Sequence, residues 1–519
     1  MRPFELRSFA TSTVFAMALS GCASAPPPAP ARPALAPSTP TASTGPPTAT
    51  AKLPPTPLES RPSPFPAVTR RTLPNGLRVS IVESHALPII QLRVVVHAGM
   101  GFGRPGVGEI TATMLKEGGT RAHTASEVVK RVETLGSSLD VAVDQDSTQL
   151  AMGVVRGQLG QALDILGEVL RTPHFDAAEL ARVKTRTTDE AKDSARSSGT
   201  WSATRVLFHA LYPAASPYAI YGALPAEIAR VDGALVRDFY RRYYAPSNVE
   251  IIVAGDVDVG QVVEACEDAF GEWKVPGMRA PAAVDFPRPA APETTRVIVA
   301  SRPRSVQSDV VVTQLLPGRH SPTWPADRVA LQVFGGGLTG RLFQDVREKR
   351  SLAYAASAHA LELAHDEQPL FAYAGTQAPK TADAVQALLD TLAGMRTSPP
   401  TDEEVIAARR YLSDIFAVRM ETIGAISDMV AQLRELDLPD DYWDVYRAAL
   451  RAVTTADTDT QAVKVFTPGH ALIIVAGDAD VVAGPLARFG EVTVVDPEQD
   501  FRVLRTLPMS PATGETRGK

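Results

Sequence analysis

The chain has 519 residues, 45% of them hydrophobic, which is enough to fill the cores of several domains. Its formal net charge of −6 leaves no basic excess of the kind that binding a phosphate backbone requires. No apolar run reaches the roughly 20 residues of a membrane-spanning helix.

The first elements read as an export signal. Arg2 and Arg7 form a short basic start, Phe9 to Leu19 a brief apolar run, and Leu19-Ser20-Gly21-Cys22 a small-residue stop. The cysteine after the small residues resembles a bacterial lipobox. That resemblance implies a signal peptide over 1–21, lipidation at Cys22 and anchoring in the cell envelope, with Ala23 favouring an outer membrane facing the periplasm. The remaining cysteine, Cys266, has no second cysteine to pair with in the mature chain and reads as a buried small hydrophobe. Residues 22–66 are rich in Pro, Ala, Thr and Ser with few large apolar side chains, so they predict an extended tether.

The body repeats itself. Val249-Glu250-Ile251-Ile252-Val253-Ala254-Gly255-Asp256 recurs as Ala471-Leu472-Ile473-Ile474-Val475-Ala476-Gly477-Asp478. Arg171-Thr172-Pro173 recurs as Arg396-Thr397 with Pro399, and the apolar positions Ala162, Leu163 and Leu170 recur as Ala387, Leu388 and Met395. All share an offset of roughly 220–225 residues, which predicts two homologous domains, 67–280 and 293–505, joined by a linker at 281–292 and followed by a disordered tail, 506–519. In the first domain, Leu77 to Val82, Gln91 to His97 and Gln149 to Val155 predict strands. Thr124-Ala125-Ser126-Glu127 is a capping box, and Asp176 caps a long helix. Strands and helices without strict alternation predict an α+β class, with mixed sheets covered by helices in both domains.

Four segments then carry a family resemblance. Leu73-Pro74-Asn75-Gly76-Leu77, the run Phe239 to Asn248, the Ala-Gly-Asp strand end after it, and Gly335 to Tyr354 together resemble the pitrilysin/insulinase-like zinc peptidases. That family's motif is His-x-x-Glu-His on a helix, where two imidazoles hold zinc and the glutamate activates water. Here the matching positions are Glu109, Ala112 and Thr113, so both imidazoles and the base are missing. The third-ligand position, roughly 75–80 residues further on, matches Glu190 best, where a solvated acidic helix face is the favoured reading. Arg347 and Tyr354 match the family's Arg/Tyr pair, whose donors can stabilise negative charge on a scissile oxygen. The run Gly335-Gly336-Gly337 lacks the Lys-Ser/Thr of a phosphate loop; it reads either as a flexible helix entry or, by resemblance, as backbone that approaches bound peptide.

A donor pair without a metal motif resembles the non-zinc subunit of two-chain members of the family. The implied function is a partner subunit of a heterodimeric zinc peptidase, with no cofactor of its own, zinc in the homologous partner, and unfolded peptides as substrates. The alternative is a catalytically inactive peptide-binding or scaffold protein of the envelope. A stand-alone metallopeptidase with substituted ligands is disfavoured by Ala112 and Thr113.

Overall fold

The computed structural model describes residues 63–274, 284–365 and 367–510. The signal sequence, Cys22 and most of the tether lie outside these residues. The first half runs β1 (Thr69–Thr72), β2 (Arg78–Glu83), β3 (Ile89–Val96), α1 (Val107–Glu117), α2 (Ala125–Thr134), β4 (Asp140–Val143), β5 (Thr148–Val155), α3 (Leu159–Arg171), α4 (Ala177–Ser197), α5 (Gly199–Leu211), α6 (Pro225–Ala229), α7 (Gly233–Tyr243), β6 (Val249–Gly255) and α8 (Val259–Phe270). The second runs β7 (Arg296–Ser301), β8 (Gln307–Thr313), β9 (Leu315–Leu316), α9 (Trp324–Gly335), α10 (Arg341–Phe343), β10 (Ala353–Ala360), β11 (Gln368–Gln377), α11 (Thr381–Thr397), α12 (Asp402–Arg419), α13 (Ile423–Glu435), α14 (Tyr442–Ala452), α15 (Thr455–Val465), β12 (Leu472–Gly477), α16 (Ala479–Leu486), β13 (Val492–Asp496) and β14 (Arg502–Leu507).

The two sheets have the same plan. The first is ordered β1-β2-β6-β3-β5-β4 and the second β10-β11-β8-β12-β7-β13-β14, so β2, β6, β3, β5 and β4 correspond to β7, β12, β8, β11 and β10. In each, the recurring Ala-Gly strand is parallel to one neighbour and antiparallel to the other. The capping box at Thr124 and the Asp176 cap form as their local chemistry dictates.

Both repeated strands are buried along their whole length. Alternate side chains of a strand point to opposite faces. Ile251 and Val253 join the core of the first half, whereas Ile252 and Ala254 join the core built by the second half. The cover on that second face is α13, which packs on β3 and β6. The second sheet is treated reciprocally: Ile473 and Val475 face its own helices, while Leu472, Ile474 and Ala476 meet Ala203, Val206 and Leu207 of α5. Each half thus lends one helix to the other's sheet. This is why these strands read as continuous apolar runs and not as an alternating pattern.

The sequence boundaries shift at two places. Phe65, expected in the tether, is buried in the second core, and its amide donates to Asp444 Oδ1 at 3.1 Å. β14 continues to Leu507, past the boundary expected at 505, because β13 pairs with it through Leu507.

Polar groups fix the register of α13. The guanidinium of Arg434 donates to Ser80 Oγ at 3.2 Å and lies 3.0 Å from Glu250 Oε1; both charged side chains are fully buried. Arg93 pairs with Asp428, and Glu435 accepts from Ser147 and Gln149. Asp146 accepts from the Tyr218 hydroxyl and, at 2.9 Å, from the Ala364 amide of the other half. Burial, then the Asp144 charge, raises Asp146 to about 7, and the same causes push Glu435 well above the usual carboxylate range.

Two outcomes are expected. A carboxyl group raised in the folded state keeps its proton longer than in the unfolded chain. Its contribution to stability is therefore greatest in acid and declines as pH rises through about 7. Urea midpoints should accordingly fall between about pH 5 and pH 8, and this slope should flatten in Asp146→Asn. Second, a Cβ on Gly199 would collide with Asp309 Oδ2 and sit 2.6 Å from Arg302 Nη1. Gly199→Ala should therefore cost about 1–3 kcal/mol by denaturant unfolding.

Candidate functional site

The site begins at Gly106, whose φ of 83° turns the chain into α1. Val107, Ile110, Met114 and Leu115 pin that helix to the core. Its remaining face presents Glu109, Ala112 and Thr113. The Glu109 carboxyl is buried, and its Oε2 has no hydrogen-bond partner. Burial raises it to about 7; Glu227 adds to the rise and Arg205 opposes it. Ala112 is fully buried, and the Thr113 hydroxyl donates to the Glu109 carbonyl at 2.8 Å.

These residues do not fit zinc. A tetrahedral site needs imidazole, thiolate or carboxylate ligands that can shed their protons at neutral pH. Ala112 offers a methyl group, the Thr113 hydroxyl is spent on its own helix, and burial favours the protonated form of Glu109. Glu190 is half exposed, 3.4 Å from Arg186 Nε, and its neighbouring charges are Arg186 and Glu117. Among the described residues no three His, Cys, Asp or Glu side chains are grouped to hold a metal ion. Cys266 is buried, which pushes its thiol up to about 12.

Arg205 and Glu227 carry no signal in the sequence, yet they are the charged side chains that act on Glu109, in opposite directions and less than burial does. Arg205 comes from α5, the helix lent to the second sheet. It donates to the Tyr221 and Gly222 carbonyls, both at 2.9 Å, and to Glu227 at 3.3 Å. Its guanidinium stands 5.8 Å from the Trp201 ring centre and 5.1 Å from that of Phe501, a residue of the second half.

Arg347 and Tyr354 lie in the second half. After α10 the chain widens into a π-helical turn, Gln344–Lys349, which carries Arg347. Ser351 reverses direction with a φ of 51°. Tyr354 sits in the bulge where pairing with β11 shifts between Ala353 and Ala355, and it is 82% exposed. The Arg347 guanidinium stacks 5.0 Å from the Tyr354 ring centre and 4.8 Å from that of Phe343. Guanidinium and phenol are therefore presented together to solvent, on the free edge of the second sheet. No hydrogen bond or ion pair among the described residues joins them to the Glu109 group.

The glycine run has separate local jobs. A Cβ on Gly335 would overlap Ala358 of β10, whereas Gly337, with a φ of 72°, meets nothing within 4 Å. Gly335 lets α9 close on the strand, and Gly337 makes the turn after it. A further cavity of about 340 Å³ is lined by Phe286, His320, Ala364, His365, Glu435 and Leu436 among others.

A model of the insulinase family, peptidase family M16, matches residues 78–215, and one of the peptidase M16 inactive domain matches 230–412. The chain belongs to the M16 peptidase family. An uncharacterised zinc protease of Mycobacterium leprae is 25% identical over 356 residues, covering 66% of this chain and 77% of the relative. The YmxG zinc protease of Bacillus subtilis, also uncharacterised, is 22% identical over 420 residues, covering 79% and 98%. Among solved structures, a peptidase M16 inactive domain from Pseudomonas fluorescens superposes with a TM-score of 0.72 at 24% identity, covering 79% of this chain and 98% of that one. The first half of the periplasmic protease PqqL from Escherichia coli gives 0.66 at 18%, covering 82% and 94%. The M16 fold of two helix-covered sheets is the fold found here.

The raised Glu109 carboxyl gives a direct expectation. Glu109→Gln removes a group that loses its proton only near pH 7 in the fold, where ionisation is penalised. The variant should match wild type near pH 5 and exceed it in thermal midpoint at pH 8.

Proposed function

We propose that this M16 chain is a non-catalytic member of its family that binds unfolded peptide in the cell envelope. The observation that carries the reading is α1: at the three motif positions stand a near-neutral buried carboxyl, a methyl group and a hydroxyl committed to its own backbone. The resemblance to zinc proteases supplies peptide as the ligand class. Envelope placement rests on the lipobox at Leu19 to Cys22. Among the described residues no helix is long and apolar enough to cross a membrane, so attachment in this reading is through lipid on Cys22.

The outward-facing Arg347/Tyr354 pair favours a second reading, the partner subunit of a zinc-bearing homologue. Among the relatives are the alpha-1 subunit of a mitochondrial-processing peptidase from Dictyostelium discoideum, 24% identical over 205 residues, and a probable beta subunit from Arabidopsis thaliana, 24% identical over 281. In this reading the partner holds zinc and peptide lies between the chains. Arg347 and Tyr354 would donate to the oxygen that gains charge as the peptide bond is attacked.

One experiment separates the readings. An unstructured peptide mixture is incubated with this chain, with a zinc-motif homologue, and with both. The first reading expects peptide binding by this chain, no hydrolysis by it alone with added zinc, and no gain in the mixture. The second expects hydrolysis in the mixture, lowered about 10²–10³-fold by Arg347→Ala and less by Tyr354→Phe. Hydrolysis by this chain alone, abolished by chelation, would overturn both.

A further inference from the structure

The cavity of about 340 Å³ opens at the C-terminal end of α13, where Glu435 reaches across to the first half. Its size lies at the small end of the roughly 300–1,000 Å³ that ligand cavities span. Its lining combines a ring wall with two carboxylates. Phe286 stacks on His365 with ring centres 3.9 Å apart, and Glu435 and Asp437 supply the carboxylates. Tyr218 holds the wall in place: its ring centre stands 5.0 Å from that of Phe286, and its hydroxyl accepts from the His365 amide at 3.1 Å. Among the described residues that line the cavity there is no lysine or arginine.

The carboxylates here outnumber the donors that serve them. Glu435 Oε1 accepts from Ser147 and from Gln149, and Oε2 takes neither bond. The same Ser147 hydroxyl lies 3.2 Å from Asp144 Oδ2. A hydroxyl has one proton, so one donor serves two carboxylates from opposite halves. Asp144 is the better supplied, because its Oδ1 accepts from the Asp146 and Ser147 amides at 2.8 and 2.7 Å. Arg93 is engaged elsewhere, with Gln149 Oε1 at 2.9 Å and with Asp428. Burial, then the Asp144 charge, holds Glu435 above the usual carboxylate range, and a cation in the cavity would favour its ionised form.

The helix end adds to this field. α13 stops at Glu435, and the Leu438 amide closes the cap on the Leu433 carbonyl at 2.8 Å, past Asp437 with its φ of 48°. Glycine or asparagine usually takes such a left-handed position, and the partial negative charge of a helix C-terminus favours cations. Two carboxylates stand there instead. His320 Nε2 donates to the Leu436 carbonyl at 2.8 Å, so Nδ1 is an acceptor when the ring is neutral. An acceptor-rich lining of negative charge complements a group with only donors and positive charge, and a ring wall suits the apolar stem behind it. We propose that this cavity binds an alkylammonium or guanidinium group of a bound peptide, a basic side chain or the N-terminal amine, with Glu435 and Asp437 as its counter-charges. This deepens the peptide-binding reading of the chain and rests on it for the identity of the ligand.

The test uses the full chain at about pH 7.5 and three labelled unstructured peptides of one sequence pattern. The first carries lysines and an acetylated N-terminus. The second has glutamine for each lysine and a free N-terminus, and the third is the glutamine peptide acetylated. At least one charged peptide should bind about ten- to a hundredfold more tightly than the neutral one, and which one does so identifies the side chain or the amine as the ligand. Asp437→Asn, which suits the cap, should lower that preference several-fold. Adding Glu435→Gln, which keeps an acceptor for Ser147 and Gln149, should abolish it and leave the affinity for the neutral peptide unchanged. Equal binding of all three peptides, or a preference unchanged in the double variant, overturns the site and leaves the peptide-binding reading intact. The second probe is n-butylammonium against sodium at equal chloride, read as thermal midpoint. A rise that is lost in the double variant, with no peptide bound, keeps the cation site and overturns the peptide reading. No rise and no peptide binding overturn both.

Discussion

The structure depends on the reciprocal burial of β6 and β12, each covered on one face by a helix from the opposite half. Neither strand could stand with that face in water. Fully burying a valine, leucine or isoleucine side chain is worth about 1.5–3 kcal/mol, and Val95, Ile252, Ala254, Ile298, Val311 and Ile474 all lie on the exchanged faces. The halves are therefore homologous in plan but not independent in stability. Separating them would uncover both sheets at once.

This exchange also decides which charges meet. α5, packed on the second sheet, carries Arg205 to the Tyr221 and Gly222 carbonyls and to Glu227 of the first half. α13 carries Asp428, Arg434 and Glu435 onto the first sheet, against Arg93, Glu250 and Ser147. A buried pair such as Arg434 and Glu250 is weak evidence for net stability, but it penalises every register of α13 except the one that satisfies it. In the same way Gly199 admits α5 only where Arg302 and Asp309 leave room.

The two chemically distinctive regions differ in how they are built. At the α1 face, polar capacity has been removed or neutralised, and what remains is a carboxyl that burial keeps near its proton. On the second half, Arg347 and Tyr354 keep each other in place by stacking at a strand bulge and face outward. A pair that only served the core would have no reason to leave a tyrosine 82% exposed. An outward pair instead suits a surface that another molecule completes.

Much of this was legible from residues near one another in the chain. The offset repeat predicted two like domains, because a strand that is buried on both faces is apolar at nearly every position and so is copied conspicuously. The loss of His-x-x-Glu-His was plain at Glu109, Ala112 and Thr113, because a metal motif on one helix turn is a local pattern. The Thr124 and Asp176 caps were readable for the same reason. What the sequence could not reveal was the partner of each buried face. Apolar side chains carry no address, so Ile252 and Ile474 gave no sign of facing α13 and α5. Arg205 with Glu227, and Arg434 with Glu250, are separated by tens of residues or more and obey no spacing rule. The sequence by itself determined the family, the repeat and the missing zinc ligands, since these depend on short-range order. Only the tertiary structure decided the helix exchange and the charge pairs it buries, since both arise where distant segments must share one buried volume.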